Sequence, residues 1–298
     1  MFSCCGVGVK FFHMNIQKIT RISTFSDNKY SKSFYNFAVE DNENYFANGI
    51  LTHNCYVGRY NHDKVYINKN VEDILSSISV WVDKQPWPKK PNQVDSKYYC
   101  IDIGCSTDVP LMRKHYDWQV VFDYFNSAER VKSTFATKYP TRFDPTEFSL
   151  RWGKHRLRVS LMPQSFSNVL ESKTDKIEDR IKALKYLSEY IEVHINFSPI
   201  IYHEDWLKEY DQLFQEVKES GVSFKSECIF LTHNELQHNR NSEEVKELLW
   251  KPSLQENKNS FYADGNIRYK AAFKAALIAQ FKQLYSKYFP LSTIRYIF

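Results

Sequence analysis

The chain has 298 residues, 43% hydrophobic and 16% aromatic, which is a globular composition with core material for a domain of roughly 200 residues. Its formal net charge of +5 is mildly basic, compatible with nucleic acid but no argument for it. It holds no apolar run of about 18 residues and no signal-peptide pattern, and its six cysteines (4, 5, 55, 100, 105 and 228) read as reduced thiols, so the expectation is a cytoplasmic protein with no membrane partner.

The first predicted elements are short strands. Residues 33–40 form an apolar-rich strand and Asp41-Asn42-Glu43-Asn44 a turn cluster. Tyr45-Phe46-Ala47 is a second strand, and Asn48-Gly49 is the strongest two-residue hairpin signal. Ile50-Leu51-Thr52 then leads into His53-Asn54-Cys55. An Asn amide can attack its own backbone carbonyl, close a succinimide and release the next residue. That reaction needs near-attack geometry, an oxyanion donor and an acid for the departing amine. His53 supplies a proton or polarises the carbonyl, and Cys55 supplies a thiolate that accepts an acyl group. The tripeptide by itself reads as readily as an exposed turn with a stray cysteine.

Together with the strands before it, the tripeptide resembles the C-terminal splicing region of inteins, the Hint fold. The resemblance covers residues 33–55 and extends loosely back to Met14. Glu43 departs from it, since many inteins carry a His at that position. The resemblance implies cleavage after Asn54, with Cys55 opening the interrupted protein. Within residues 1–54 there is no intein-like start and no Thr-x-x-His segment. The expectation is therefore one half of a trans-splicing pair or a truncated remnant, divided into a tail (1–13), a Hint segment (14–54) and a main domain (55–298).

After the junction, strand and helix alternate. Helices are predicted over 71–82, 109–125, 177–190, 204–219, 242–250 and 271–288. Strands are predicted over 97–103, 133–137, 156–161, 191–201, 222–231 and 293–298. Such alternation implies parallel βαβ units, and five or six of them suggest a partial (β/α) TIM-type barrel. Its function would lie in the loops at the C-terminal strand ends.

Those loops carry the candidate residues. Cys105-Ser106-Thr107-Asp108 offers a thiol, hydroxyls and free backbone N–H groups, or else is an ordinary helix cap. Cys100 reads as a buried core thiol, and Cys100 with Cys105 makes a poor metal pair because no second pair stands at zinc spacing. Lys138 follows a strand, where it meets a carboxylate or is simply solvated. His203 is either catalytic or a helix cap.

Taken in order, Cys55-Tyr56-Val57-Gly58-Arg59, Gly104-Cys105-Ser106-Thr107-Asp108, Phe135-Ala136-Thr137-Lys138, Arg156-Leu157-Arg158-Val159-Ser160, Asp179-Arg180-Ile181 and Pro199 to Trp206 resemble the spore photoproduct lyase family. Arg268-Tyr269-Lys270 and the last residues fit its tail. The resemblance implies an α/β, radical SAM-type partial barrel. It would hold a [4Fe-4S] cluster and S-adenosylmethionine and act on a thymine-dimer lesion in DNA. By position it makes Cys55 the third cluster ligand, Tyr56 a neighbour of the cofactor and Cys105 the hydrogen donor. Thr107 stands where the family usually has a Ser contacting the cofactor, and Lys138 pairs with the methionyl carboxylate. The expected partner is an N-terminal half with the N-intein and the first two cluster cysteines; both cofactors would bind only after joining. Two alternatives stand beside this reading: an inert remnant of an intein-disrupted gene, and a DNA-binding barrel without radical chemistry.

Overall fold

A computed structural model describes residues 21–25, 34–38, 46–47, 50–51, 70–85, 95, 97–104, 108–114, 116–171, 173–234, 242–260 and 263–298. Near its start, β1 (Arg21–Phe25) pairs antiparallel with β2 (Phe34–Ala38), Arg21 opposite Ala38. Next, β3 (Phe46–Ala47) pairs with β4 (Ile50–Leu51), Phe46 opposite Leu51 and Ala47 opposite Ile50. That register leaves the two-residue connection expected of Asn48-Gly49. The junction residues His53, Asn54, Cys55 and Tyr56 lie outside the described residues.

The rest of the chain alternates as α1 (Val71–Asp83), β5 (Tyr99–Asp102), α2 (Trp118–Ser127), β6 (Val131–Thr137), β7 (His155–Leu161), α3 (Gln164–Leu170), α4 (Ile177–Leu187), β8 (Glu192–Ile200) and α5 (Trp206–Glu219). It continues with β9 (Lys225–Phe230), β10 (Thr232–Asn234), α6 (Glu243–Leu249), β11 (Gln255–Ser260), β12 (Ala263–Tyr269), α7 (Ala271–Tyr285) and β13 (Ile294–Ile297). The main sheet has the order β13-β9-β8-β7-β6-β5. Pairing is parallel between β5 and β6, β8 and β9, and β9 and β13. The α/β class therefore matches the expectation. The chain divides into two compact units, one containing Val7–Thr137 with Arg142–Arg156, the other containing Lys138–Thr141 with Leu157–Phe298.

In the first of these, α2 buries Trp118, Val121, Phe122 and Phe125, a helical stripe facing the sheet. Phe122 meets Phe148 at 5.1 Å, Phe135 at 6.1 Å and Phe143 at 6.4 Å. The helix expected over 109–125 is shorter than that. Residues 109–114 form turns, and α2 begins only at Trp118. Arg113-Lys114-His115 interrupts the apolar stripe after Met112, and the Met112 carbonyl accepts from the Trp118 indole at 3.4 Å. His155 is buried in the same core. Its Nε2 faces Asn126 Oδ1 and its Nδ1 faces Ser133 Oγ, both at 2.8 Å, which suits the neutral ring.

Burial, then Lys154 and Lys132, bring the His155 pKa down from 6.5 to about 4. A base with a depressed folded pKa stabilises the fold above the unfolded value and loses that contribution as pH falls. Stability is thus expected to drop by about 3 kcal/mol between pH 6.5 and 4 through this residue. Urea unfolding at pH 7 and pH 5 checks this, because His155→Gln should flatten that part of the profile.

The second unit is built around α5 and α7. Trp206, Tyr210, Leu213, Phe214 and Val217 line one face of α5, and Leu277, Phe281, Leu284 and Tyr285 line α7. Phe281 sits among Phe214 at 5.4 Å, Tyr210 at 5.5 Å, Phe230 at 6.0 Å and Phe197 at 6.2 Å. Two features here were not anticipated. One is α3, whose Gln-Ser-Phe-Ser-Asn-Val-Leu sequence buries only Phe166 and Ser167. The other is the antiparallel sheet β10-β12-β11, whose strand Gln-Glu-Asn-Lys-Asn-Ser shows no apolar alternation and is held by its register with β12.

Candidate functional site

Of the described candidate residues, Cys100 lies within β5, Asp108 follows β5, Lys138 follows β6 and His203 follows β8. At the end of β5, Asp102 Oδ1 accepts from the Gly104 N–H at 3.0 Å, and the Ile103 N–H donates to the Thr134 carbonyl at 2.9 Å. Asp108 Oδ1 accepts from the Leu111 N–H at 3.3 Å and from the Thr137 hydroxyl at 2.7 Å. Asp108 is thus a turn cap tied to the last residue of β6. Cys105 and Thr107 lie outside the described residues.

Lys138 follows β6 directly and is not a solvated surface lysine. Its Nζ meets Glu171 Oε1 at 3.2 Å, with side-chain exposures of 22% and 7%. Glu171 Oε2 is 2.9 Å from Arg180 Nη2, whose side chain is wholly buried. Arg180 also donates to the carbonyls of Ser160 at 2.8 Å and Asp175 at 2.9 Å, and to the Thr174 hydroxyl. The Asp175 N–H donates back to the Lys138 carbonyl at 3.2 Å. Three charged side chains therefore meet beside the end of β7, where Arg180 reaches the Ser160 carbonyl, the kind of strand end at which α/β sheets place ligands.

His203 lies just ahead of α5, whose N-cap residue is Asp205. Its Nδ1 accepts from the Asp205 N–H at 3.3 Å, its Nε2 faces Glu209 Oε2 at 3.1 Å, and its ring meets Phe166 edge-on at 4.8 Å. Cys100, expected as a buried core thiol, is instead half-buried against charge. Arg156 Nη1 donates to its sulfur at 3.3 Å. Arg156 Nη2 also reaches Asp95 at 2.8 Å, and Lys132 reaches the same oxygen at 3.4 Å. Burial pushes the Asp95 carboxyl up, but the Lys97 and Tyr98 N–H groups with Lys132 and Arg156 outweigh it, and the net shift is downward.

A second buried charged cluster went unnoticed in the sequence. Glu227 on β9 is 2.6 Å from Arg295 Nη1, 2.6 Å from the Tyr296 hydroxyl and 3.7 Å from Arg158 Nη1. Arg295 also reaches His194 Nδ1 at 2.9 Å. The signal was present as charges at alternate positions of otherwise apolar strands, such as Arg156 and Arg158 in β7.

An iron–sulfur cluster needs a set of thiolates. Among the described residues no group of three or more His, Cys, Asp or Glu is placed to hold a metal. Cys228 is buried, and burial pushes its thiol up to about 12, which leaves it unsuited to ligation. Cys55, the cluster ligand that the resemblance implies, lies outside the described residues. Among the described residues no helix is long and apolar enough to cross a membrane.

The family model for spore photoproduct lyase matches residues 43–298. The spore photoproduct lyase of Clostridium acetobutylicum (strain ATCC 824) is 27% identical over 184 residues, covering 60% of this chain and 52% of the relative. The chain thus spans about half the length of the curated relative it matches. A solved spore photoproduct lyase double mutant with bound AdoMet and dinucleoside spore photoproduct superposes with a TM-score of 0.66 at 17% identity, over 84% of this chain and 74% of that one. Another, complexed with dinucleoside spore photoproduct, gives 0.65 at 17% identity with the same coverage. At that identity the likeness shows a shared fold.

Proposed function

Because the chain belongs to the spore photoproduct lyase family, we propose that residues 55–298 are the C-terminal part of a radical S-adenosylmethionine lyase that repairs a thymine-dimer lesion in DNA, joined to its remainder by splicing at Asn54–Cys55. The observation that carries the lyase part is the family match, which spans Cys55, Cys105 and Lys138 in one continuous stretch. When bound, the [4Fe-4S] cluster and S-adenosylmethionine supply reductive one-electron chemistry.

The chain's own residues have these roles. Asn54 cyclises and His53 assists it by polarising the carbonyl or protonating the leaving amine. Cys55 first accepts the acyl group and afterwards serves as one cluster thiolate. The N-terminal partner, with its N-intein, brings the other two. Lys138 receives the methionyl carboxylate and Thr107 a further polar group of the cofactor. Tyr56 lies beside the cofactor and the donor thiol. Cys105 would be the thiol that donates a hydrogen atom to the substrate-derived radical. The splicing part rests on the His53-Asn54-Cys55 residues and on the β3–β4 hairpin just before them.

Mixing the chain with a candidate N-terminal half tests the reading. The expected product lacks residues 1–54 by mass and absorbs near about 400 nm once iron is added. Asn54→Ala should slow release of residue 55 by about 100-fold or more, the cost of losing a group held in attack geometry. No ligation and no change in mass would leave an inert remnant. DNA binding that persists unchanged in a Cys105→Ala variant, with no lesion turnover in the joined protein, would leave a binding module.

A further inference from the structure

The N-terminal ends of β5, β6 and β7 carry a face that the lyase reading leaves unused. Trp152, in the turn before β7, is 61% exposed, the most exposed large apolar side chain among the described residues. The turn that presents it is tied down from beneath. Asn126, near the end of α2, donates to the Ser149 carbonyl at 2.5 Å, and its Oδ1 accepts from the Arg151 N–H at 2.8 Å. The same oxygen faces His155 Nε2 at 2.8 Å, and Gly153 takes a φ of +80° as the chain enters β7. The indole thus stands in water on a fixed backbone, which leaves a ligand little ordering to impose.

Cations gather around it. Arg151 is exposed and directly precedes Trp152, and its Nη1 donates to the Asn126 carbonyl at 3.3 Å. Lys154, two residues after Trp152, is buried with its Nζ 4.4 Å from the centre of the Tyr98 ring. Tyr98 lines an open cleft of about 560 Å³ together with Lys97, Glu129 and Arg130, and Lys97 is exposed. Burial, then the like charges of Arg151 and Lys132, lower the Lys154 pKa, with Glu129 acting the other way. The acids of this face are Glu129 and Asp83, which lies 3.9 Å from Arg130. Lys97, Arg130, Arg151 and Lys154 outnumber them.

An exposed indole gives a nucleobase a ring to stack on, and cations along the same face track phosphates. We infer that this face binds single-stranded nucleic acid, with a base stacked on Trp152 and the backbone passing Arg151 and Lys97. A duplex keeps its bases paired and stacked on one another, so it offers the indole only its ends. Arg130 precedes β6 and Lys138 follows it, so this site lies at the other end of that strand from Lys138. It does not rest on the lyase reading.

The test measures the anisotropy of a labelled, lesion-free oligothymidylate of about 16 nucleotides with the full chain, beside a duplex of the same length. At about 50 mM salt the single strand is expected to bind at least about fivefold tighter than the duplex. Trp152→Ala should weaken that binding at least about fivefold, the loss of one stacked base, and Trp152→Tyr should keep most of it. Arg151→Gln and Lys97→Gln should each reduce the slope of log affinity against log salt by about 0.7. The three side chains are exposed, so the variants should melt with the parent.

No binding by the parent chain at that salt overturns the inference. So does a Trp152→Ala variant that binds as the parent does, or a duplex bound as tightly as the strand. Photocrosslinking of the parent to an iodouridine-bearing strand gives a readout that needs no variant. Adducts on the peptide bearing Trp152 support the inference. Adducts confined to residues around Lys138 overturn it and leave the lyase reading standing.

Discussion

Glu227→Ala is expected to lower the unfolding free energy by about 3–5 kcal/mol, measured by urea unfolding at pH 7. Glu227 is only 2% exposed and serves Arg295, Arg158 and the Tyr296 hydroxyl at once. Truncation leaves two guanidinium groups and a phenol facing a vacated acceptor in a site water reaches poorly. That uncompensated charge accounts for the cost, and the attraction of the pairs in isolation would be far smaller. Burial raises the Glu227 carboxyl, but Arg158, Arg295, Tyr296 and His194 together bring it below the usual carboxylate value. Its contribution is therefore present above the unfolded carboxylate pKa of about 4.3 and is lost as the pH falls below that. Glu227→Gln keeps the shape and removes the charge, so it should recover part of the loss. A variant as stable as the parent would mean that the cluster adds nothing to the fold.

Phe281→Ala is expected to cost a similar amount, about 3–5 kcal/mol, for a different reason. The ring is fully buried and meets Phe214, Tyr210, Phe230, Phe197 and Trp206, with the Trp206 ring stacked at 6.5 Å. These neighbours stand on both helices and strands, so they cannot collapse together into the space left behind. The expected loss is then transfer energy plus a persisting cavity. Tyr186→Ala is the control. Its side chain is 44% exposed on α4, and the change should stay within roughly 1 kcal/mol. A Phe281→Ala loss no larger than that of the control would show that the α5–α7 core relaxes freely.

The sheet and most helices were legible because their signals are local. Trp206, Tyr210, Leu213 and Val217 repeat at helical spacing and mark α5, while the buried runs of β6 and β7 mark strands. Lys138 was legible as a charge placed just after a strand. Its partners were less so. Glu171 and Arg180 lie 33 and 42 residues further on, and nothing in their own neighbourhoods says that they meet Lys138. The shortened α2 shows the opposite failing: the helix expected over 109–125 was carried across Arg113 to Asp117, where the apolar stripe breaks and Tyr116 and Asp117 are weak helix formers. The strand β11 is similar, since its polar sequence holds only through the register with β12.

By itself the sequence determined the α/β alternation, the hairpin between β3 and β4, and the order of motifs that marks the family. Each of these is written in residue spacing over a few positions. Only the tertiary structure decided which charges share a site: Glu171 between Lys138 and Arg180, Glu227 among Arg158, Arg295 and Tyr296, and Arg156 on Cys100. Buried charge must find its counter-charge in space, and in a sheet of parallel crossovers that partner lies a whole helix or more away along the chain.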